Sequence, residues 1–294
     1  MTSFLNPGRV FLVGCPRSGT TLLQSMLMAS TGIESFPESH LFDTSFGTGK
    51  RALLCRVFRG AYLWFHLGGW IKTLRAHGFS PPPLRPSWSR RRMIRRAVAS
   101  LDAMTLSAGK HVWVEKTPGH LHHIDRIQSL VAHPRFIHIV RDGRATVASL
   151  HVAALEQPQA WRWARSVEAC VQRWNRCIAI SARYADEPGH HVVRYRDLVD
   201  DPEAVLAELC DFLDVAFEES MVSDYAASAE RVIRPGEDWK AANAGPLRDP
   251  GLEKFSRTFD AATQRQVEAA LDLDVLRSLP RRATRDREAR SGGR

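Results

Sequence analysis

The run FLVGCPRSGTTLLQSMLMAS, residues 11–30, constrains this chain more than any other feature. An apolar strand ends at Gly14, a short loop runs to Gly19, and Thr20 and Thr21 open an apolar helix. A turn of this kind aims several backbone N–H groups and the positive end of a helix dipole at one point, which suits a phosphate. Gly14 and Gly19 let the backbone turn tightly and approach the anion, and the threonine hydroxyls add donors. Arg17 is the only cation inside the loop. Pro16, Arg17, Ser18, Gly19, Thr20 and Thr21 are therefore the candidate phosphate-binding residues.

The spacing Gly-x-x-x-x-Gly is that of a nucleotide triphosphatase loop, but Thr20 stands where the lysine should follow the second glycine. A tyrosine phosphatase loop would need arginine six residues after its cysteine, and six residues after Cys15 is Thr21. Phosphatase chemistry is excluded. What remains is a nucleotide whose phosphate is held and not cleaved.

Short apolar runs alternate with helical periodicity along the chain, which predicts an α/β fold with a doubly wound, mostly parallel sheet. The expected strands are Val10 to Val13, Ile33 to Phe36, His111 to Val114, Phe136 to Val140 and His191 to Arg194. One helix is expected over Leu121, Ile124, Ile127, Leu130 and Val131, another over Trp163, Val167, Cys170, Trp174, Cys177 and Ile178. Asp201-Pro202 opens a third, with Val205, Leu206, Leu209, Phe212 and Leu213 on one face. No repeat or linker divides the chain, so one domain over residues 1–280 is expected. Residues 281–294, with six arginines against Asp286 and Glu288, are expected to form a basic, disordered tail.

A helical insertion of about residues 44–100 breaks the alternation. Its part RALLCRVFRGAYLWFHLGGWIKTLRAH, 51–77, is aromatic, basic and interrupted by Gly60, Gly68 and Gly69. It reads as helices packed over the sheet, or as a lid that meets a membrane surface or receives an apolar acceptor. The 41 basic and 32 acidic residues leave a net charge of +9, which invites a nucleic-acid reading. Much of the excess lies in the tail and in the cluster Arg85, Arg90, Arg91, Arg92, Arg95 and Arg96, neither of which need touch the phosphate loop. Five cysteines without a C-x-x-C pair favour neither a disulfide framework nor a zinc ribbon. His120, His122, His123, His190 and His191 form no ligand pattern, so no metal is expected. The N-terminus passes directly into a strand without the pattern of a signal peptide. The expected location is cytoplasmic, with 51–77 offering peripheral contact at the inner membrane face.

Pro16-Arg17-Ser18-Gly19-Thr20-Thr21 after a strand resembles the 5′-phosphosulfate loop of sulfotransferases that use 3′-phosphoadenosine-5′-phosphosulfate (PAPS). FIHIVRDGRATVASL, with Arg141 at the strand end and Ser149 eight residues on, is similar to the second motif of that family. Lys116 in KTP and the block VRYRDLVDDPEAVLAELCDFLDV from Val193 follow in the family's order. The likeness is closer to the Golgi or tyrosylprotein-type and bacterial branch than to the cytosolic one. It implies PAPS as donor, 3′,5′-adenosine bisphosphate (PAP) as product, Arg141 and Ser149 on the 3′-phosphate, and Tyr195 against the nucleotide.

Arg17, Glu38, Lys116, Arg141 and Tyr195 each follow the end of a different expected strand, and in a parallel sheet those ends share one edge. Sulfuryl transfer to an alcohol needs a base for the hydroxyl proton and cations for the charge on the departing phosphate. Lys116 and Arg17 would supply the charge. Glu38 stands where Golgi-type and bacterial relatives place a catalytic glutamate, and His40 and His120 are the alternative bases. Cytosolic-type relatives carry a histidine after the Lys-Thr pair, where this chain has Pro118. The acceptor is a hydroxyl on a small molecule, carbohydrate or glycolipid, with an apolar or lipid-linked alcohol favoured by the aromatic insertion. Two other readings compete. One is a P-loop kinase or NTPase with Asp142 as magnesium carboxylate; the other is a basic protein that binds nucleic acid or anionic membrane.

Overall fold

Five strands form one parallel sheet in the order β2-β3-β1-β4-β5, in a computed structural model that describes residues 6–47, 50–230 and 249–280. They are Gly8–Gly14 (β1), Ile33–Phe36 (β2), Val112–Lys116 (β3), Pro134–Val140 (β4) and His190–Arg194 (β5). All five expected strands are present; β3 is shifted, leaving His111 outside and running on to Lys116, and the others match or are longer by at most two residues at either end. The basic tail expected at 281–294 lies outside the described residues.

Thr20–Met28 (α1), Leu41–Phe46 (α2), Lys50–Ala76 (α3) and Arg90–Ser107 (α4) come first among the helices. Ile124–Leu130 (α5), Gly143–Glu156 (α6), Val167–Tyr184 (α7), Tyr195–Asp200 (α8) and Pro202–Leu213 (α9) follow. Ser220–Ser223 (α10), Tyr225–Glu230 (α11) and Gly251–Thr258 (α12) precede two further helices.

Alternation along the strands divides the core between the two sheet faces. Val10 and Leu12 of β1, Val112 and Val114 of β3, and Ile137 and Ile139 of β4 pack with Leu23, Met26 and Leu27 of α1 and with Leu206 and Leu209 of α9. Their neighbours Phe11, Val13, Trp113 and Phe136 turn the other way, towards α3, α4, α6 and α7. Phe11 meets Trp113, Phe42 and Phe136 with ring centroids 5.4, 6.0 and 5.7 Å away. Truncating a ring so enclosed to alanine costs about 3–5 kcal/mol.

Three expectations needed correction. The helix expected from Leu121 begins as a 3-10 turn over Pro118–His123, where the His120 N–H donates to the Thr117 carbonyl three residues back at 2.9 Å, and becomes α-helical only at Ile124. Trp163 lies outside α7, in a separate 3-10 turn Arg162–Ala164; the Ser166 side chain accepts the Ala169 N–H at 3.1 Å and starts the helix there. Gly60, Gly68 and Gly69 do not interrupt the insertion, since α3 runs through all three as one helix of 27 residues. Its buried stripe of Leu63, Leu67, Trp70 and Leu74 supplies the cohesion that the glycines lack.

Candidate active site

The phosphate loop is the most constrained part of the sheet edge. A Cβ on Gly14 would come within 2.5 Å of the Ile139 carbonyl, and one on Gly19, at φ 101°, would collide with the Tyr195 ring. Only glycine fits either position. Arg17 itself is left-handed at φ 72°. The Ser18 hydroxyl lies 2.6 Å from the Cys15 carbonyl and 3.2 Å from that of Ile139, so it ties the loop to β4. Gly19 brings no side chain to cap α1, and no acidic residue stands in the first turn. The leading N–H groups and dipole of this nine-residue helix thus have no side-chain cap or acidic partner of their own and suit an anion. Thr20 and Thr21 are buried beside them.

Arg141 and Ser149 reach the same loop by different routes. The sequence pairs them on one phosphate, whereas in the structure the Ser149 hydroxyl accepts from Arg17 Nε at 3.1 Å. Arg141 Nη1 donates to the Arg17 carbonyl at 3.3 Å, Nη2 pairs with Asp249 at 2.5 Å, and the guanidinium lies 4.3 Å from the Tyr195 ring centroid. Its Nε is buried without a partner among the described residues. Asp249, two residues before α12, and Lys254, the fourth residue of that helix, complete this corner. Burial lowers the Arg17 pKa, and the neighbouring Arg141 lowers it further. Burial also lowers that of Lys254, with Arg17 and Arg141 pushing the same way. Three crowded cations, one buried N–H without a partner and an open helix terminus are the surroundings that a phosphorylated ligand relieves.

Lys116 stands between this anion site and the β2 side of the edge. It is 2 % exposed, its Nζ lies 3.5 Å from Thr21 Oγ1, and it forms an ion pair with Glu38. Strand alternation turns the next residue back, Glu115, to the opposite face. There Glu115 Oε1 accepts from Ser39 N–H at 3.1 Å, Ser39 Oγ at 2.8 Å and Thr117 Oγ1 at 2.6 Å. Burial disfavours the Glu115 charge, but the attraction of His120 and these hydrogen bonds hold its pKa below the usual carboxylate value. Glu115 thereby pins the segment that carries Glu38.

The same geometry separates the alternative bases. His120 is wholly buried, with Nδ1 2.8 Å from Glu115 and Nε2 accepting the Phe42 N–H at 3.1 Å, so it offers no nitrogen to an acceptor. His40 is half exposed, 3.4 Å from Glu38 and 3.6 Å from Asp43. Glu38 and His40 line a cleft of about 680 Å³ whose other wall is α3, with Tyr62, Trp64, Phe65 and Gly69. Asp142, the candidate magnesium carboxylate, instead caps α6 by accepting from the N–H of Arg144 and Ala145, and pairs with the Arg144 guanidinium.

Residues 7–219 match the family model described as the Sulfotransferase family. The chain belongs to the sulfotransferase family. A protein-tyrosine sulfotransferase of Drosophila melanogaster is 24% identical over 257 residues, covering 77% of this chain and 44% of its own. Protein-tyrosine sulfotransferase 1 of Danio rerio is 24% identical over 217 residues, with coverages of 72% and 55%. This sulfotransferase therefore spans about half the length of the curated relatives it matches. Among solved structures, the sulfotransferase domain of the curacin biosynthetic pathway superposes with a TM-score of 0.55 at 21% identity, covering 93% of this chain and 99% of that one. The sulfotransferase domain of the Synechococcus PCC 7002 olefin synthase gives 0.51 at 23%, with coverages of 87% and 96%. Both share the fold.

Sequence reasoning missed Asp249, Lys254 and Glu115 at the site of this sulfotransferase. Asp249-Pro250-Gly251 carries the local signature of a helix start, and Asp249 Oδ1 does accept the Gly251 N–H at 3.1 Å. Nothing in that signature points to Arg141, which is 108 residues away. Glu115 precedes Lys116 directly, and no local signal marks it, because a buried carboxylate in a strand declares itself only through its partners.

Proposed function

We propose that this protein transfers a sulfuryl group from PAPS to the hydroxyl of an apolar acceptor held in the Glu38 cleft. The observation that carries the reading is the position of Lys116, whose ammonium touches Thr21 on the phosphate-binding helix and Glu38 on the acceptor cleft. The loop from Pro16 to Thr21 takes the 5′-phosphosulfate end of the donor. Arg141, with Tyr195 stacked beneath it and Ser149 acting through Arg17, takes the 3′-phosphate end. The buried Arg141 Nε without a partner supports a further acceptor at that corner.

In the reaction, Glu38 accepts the hydroxyl proton as the acceptor oxygen bonds to sulfur, and the bond from sulfur to the phosphate oxygen breaks. Lys116 and Arg17 offset the negative charge that the departing phosphate gains. The aromatic wall of α3 supports an acceptor with an apolar body, on which a carbohydrate alone would leave Phe65 and Trp64 uncovered.

Thermal denaturation with PAP or ATP tests the donor, because a ligand stabilises the state that binds it. A rise in Tm with PAP and none with ATP is expected; the reverse order overturns the donor assignment. Transfer of labelled sulfate from PAPS to 2-naphthol in preference to glucose is expected of the cleft. Preference for glucose overturns the apolar acceptor.

A further inference from the structure

Between Asp43 and Asp102 the chain carries twelve lysines and arginines and no acidic residue. The net charge of the whole chain is +9, so everything outside this stretch is negative in sum. Positive charge is therefore concentrated in α3, the connection after it and the start of α4. Arg85, Arg91, Arg92 and Arg95 are exposed there, and none of the four meets a carboxylate among the described residues.

The same stretch exposes large apolar side chains. Val57 is 64%, Phe65 76% and Trp88 78% exposed, with Leu54 and Trp64 exposed beside them. Along α3 the intervals from Leu54 to Val57, and from Val57 to Trp64 and Phe65, are three, seven and eight residues, which puts them on one side of the helix. The connection to α4 returns along that helix: the Trp64 indole donates to the Leu84 carbonyl at 3.2 Å, and the Gly60 N–H donates to that of Trp88 at 2.9 Å. Apolar and arginine side chains thus share one surface, and the Glu38 cleft is walled by the same helix.

An exposed apolar patch of this kind marks an interaction surface. A second copy of the chain would set one acid-free positive face against another. Nucleic acid would use the arginines but leave Leu54 and Val57 without a role. A bilayer with anionic headgroups uses both, because apolar side chains enter the headgroup boundary while guanidinium groups meet phosphates. No helix among the described residues is long and apolar enough to cross a membrane.

We propose that this face of α3, with Trp88 and the arginines around it, docks the protein on an anionic lipid bilayer. Taken with the proposed function, on which this last step rests, docking sets the Glu38 cleft at the lipid surface and makes the acceptor an alcohol presented from the membrane.

Co-sedimentation of the full chain with vesicles tests the docking. Vesicles of phosphatidylcholine with about a third phosphatidylglycerol are expected to bind at least about tenfold more protein than phosphatidylcholine alone, and about 0.5 M salt should remove most of the difference. Val57→Asp with Trp88→Asp should cut the bound fraction about tenfold, and Arg91→Glu with Arg95→Glu should do the same, while Tm and PAP affinity stay unchanged. Equal binding to both vesicle types, or none, overturns the proposal. So does binding that the apolar pair leaves intact while duplex DNA competes it away, or a dimer that Val57→Asp dissolves. Vesicle binding requires no turnover, so its failure leaves the catalytic reading standing, and an inactive enzyme that still sediments leaves the docking standing.

Discussion

Two pairs of glycines divide this molecule. Gly14 and Gly19 frame the phosphate loop, where a single added carbon would strike the Ile139 carbonyl or the Tyr195 ring. Gly68 and Gly69 sit in the middle of α3, where an added carbon would meet nothing within 4 Å. Glycine in the loop is dictated by sterics and by a backbone angle that other residues resist. Glycine in α3 costs the helix stability and returns no packing, and the open space above it belongs to the Glu38 cleft. One region is determined from within, and the other is shaped for something outside it.

Substitutions can break this contrast or sharpen it. Glu38→Gln, on the border between the regions, should lower turnover about 10²–10⁴-fold and leave PAP affinity intact. If the rate survives, the base is His40. Gly19→Ala should cost about 3 kcal/mol or more, seen as a large fall in Tm or as loss of PAP binding, because strain and collision act together. A silent Gly19→Ala would remove the distinction on which the comparison rests. Arg141→Ala should weaken PAP binding by about 10–100-fold through loss of charge-assisted contacts, with sedimentation on vesicles unaffected.

Acid should act on the sheet. Burial lowers the pKa of His138 to about 3, with His190 and His191 adding to the effect, and burial lowers that of His190 to about 4. Both imidazoles stay neutral in the fold while the unfolded chain takes up protons near pH 6.5, so the stability they contribute is complete above that value and declines as pH falls towards 4. By pH 5 the loss should reach about 2 kcal/mol for each imidazole, read from denaturant midpoints between pH 7 and 5. The smallest effect belongs to α3. Gly68→Ala and Gly69→Ala should each add about 0.5–1 kcal/mol of stability without changing PAP affinity, and each should raise the KM for 2-naphthol. A rise in stability with an unchanged KM would leave those glycines without a part in the cleft.

The elements at the sheet edge were legible because their signals are local. A glycine-bounded turn between apolar runs of opposite periodicity announces the loop, and the same periodicity located β2, β4 and α9 to within a few residues. Arg17, Glu38, Lys116, Arg141 and Tyr195 could be assigned to one edge because parallel strands all end there. The contacts among them were not legible. Arg17 and Ser149 are 132 residues apart, and which arginine a serine meets depends on how α6 packs against the loop.

By itself the amino-acid order determined a strand, a glycine-bounded turn and a helix, repeated crossovers to parallel strands, and an acid-free basic insertion, since backbone sterics, side-chain periodicity and charge are properties of neighbours in the chain. Only the tertiary structure decided that Asp249 and Lys254 join Arg141, that Glu115 turns away from Lys116 to hold the Glu38 segment, and that α3 walls the cleft. Those choices depend on the packing of whole elements against one another, and such packing is set by shape and burial summed over residues far apart in sequence.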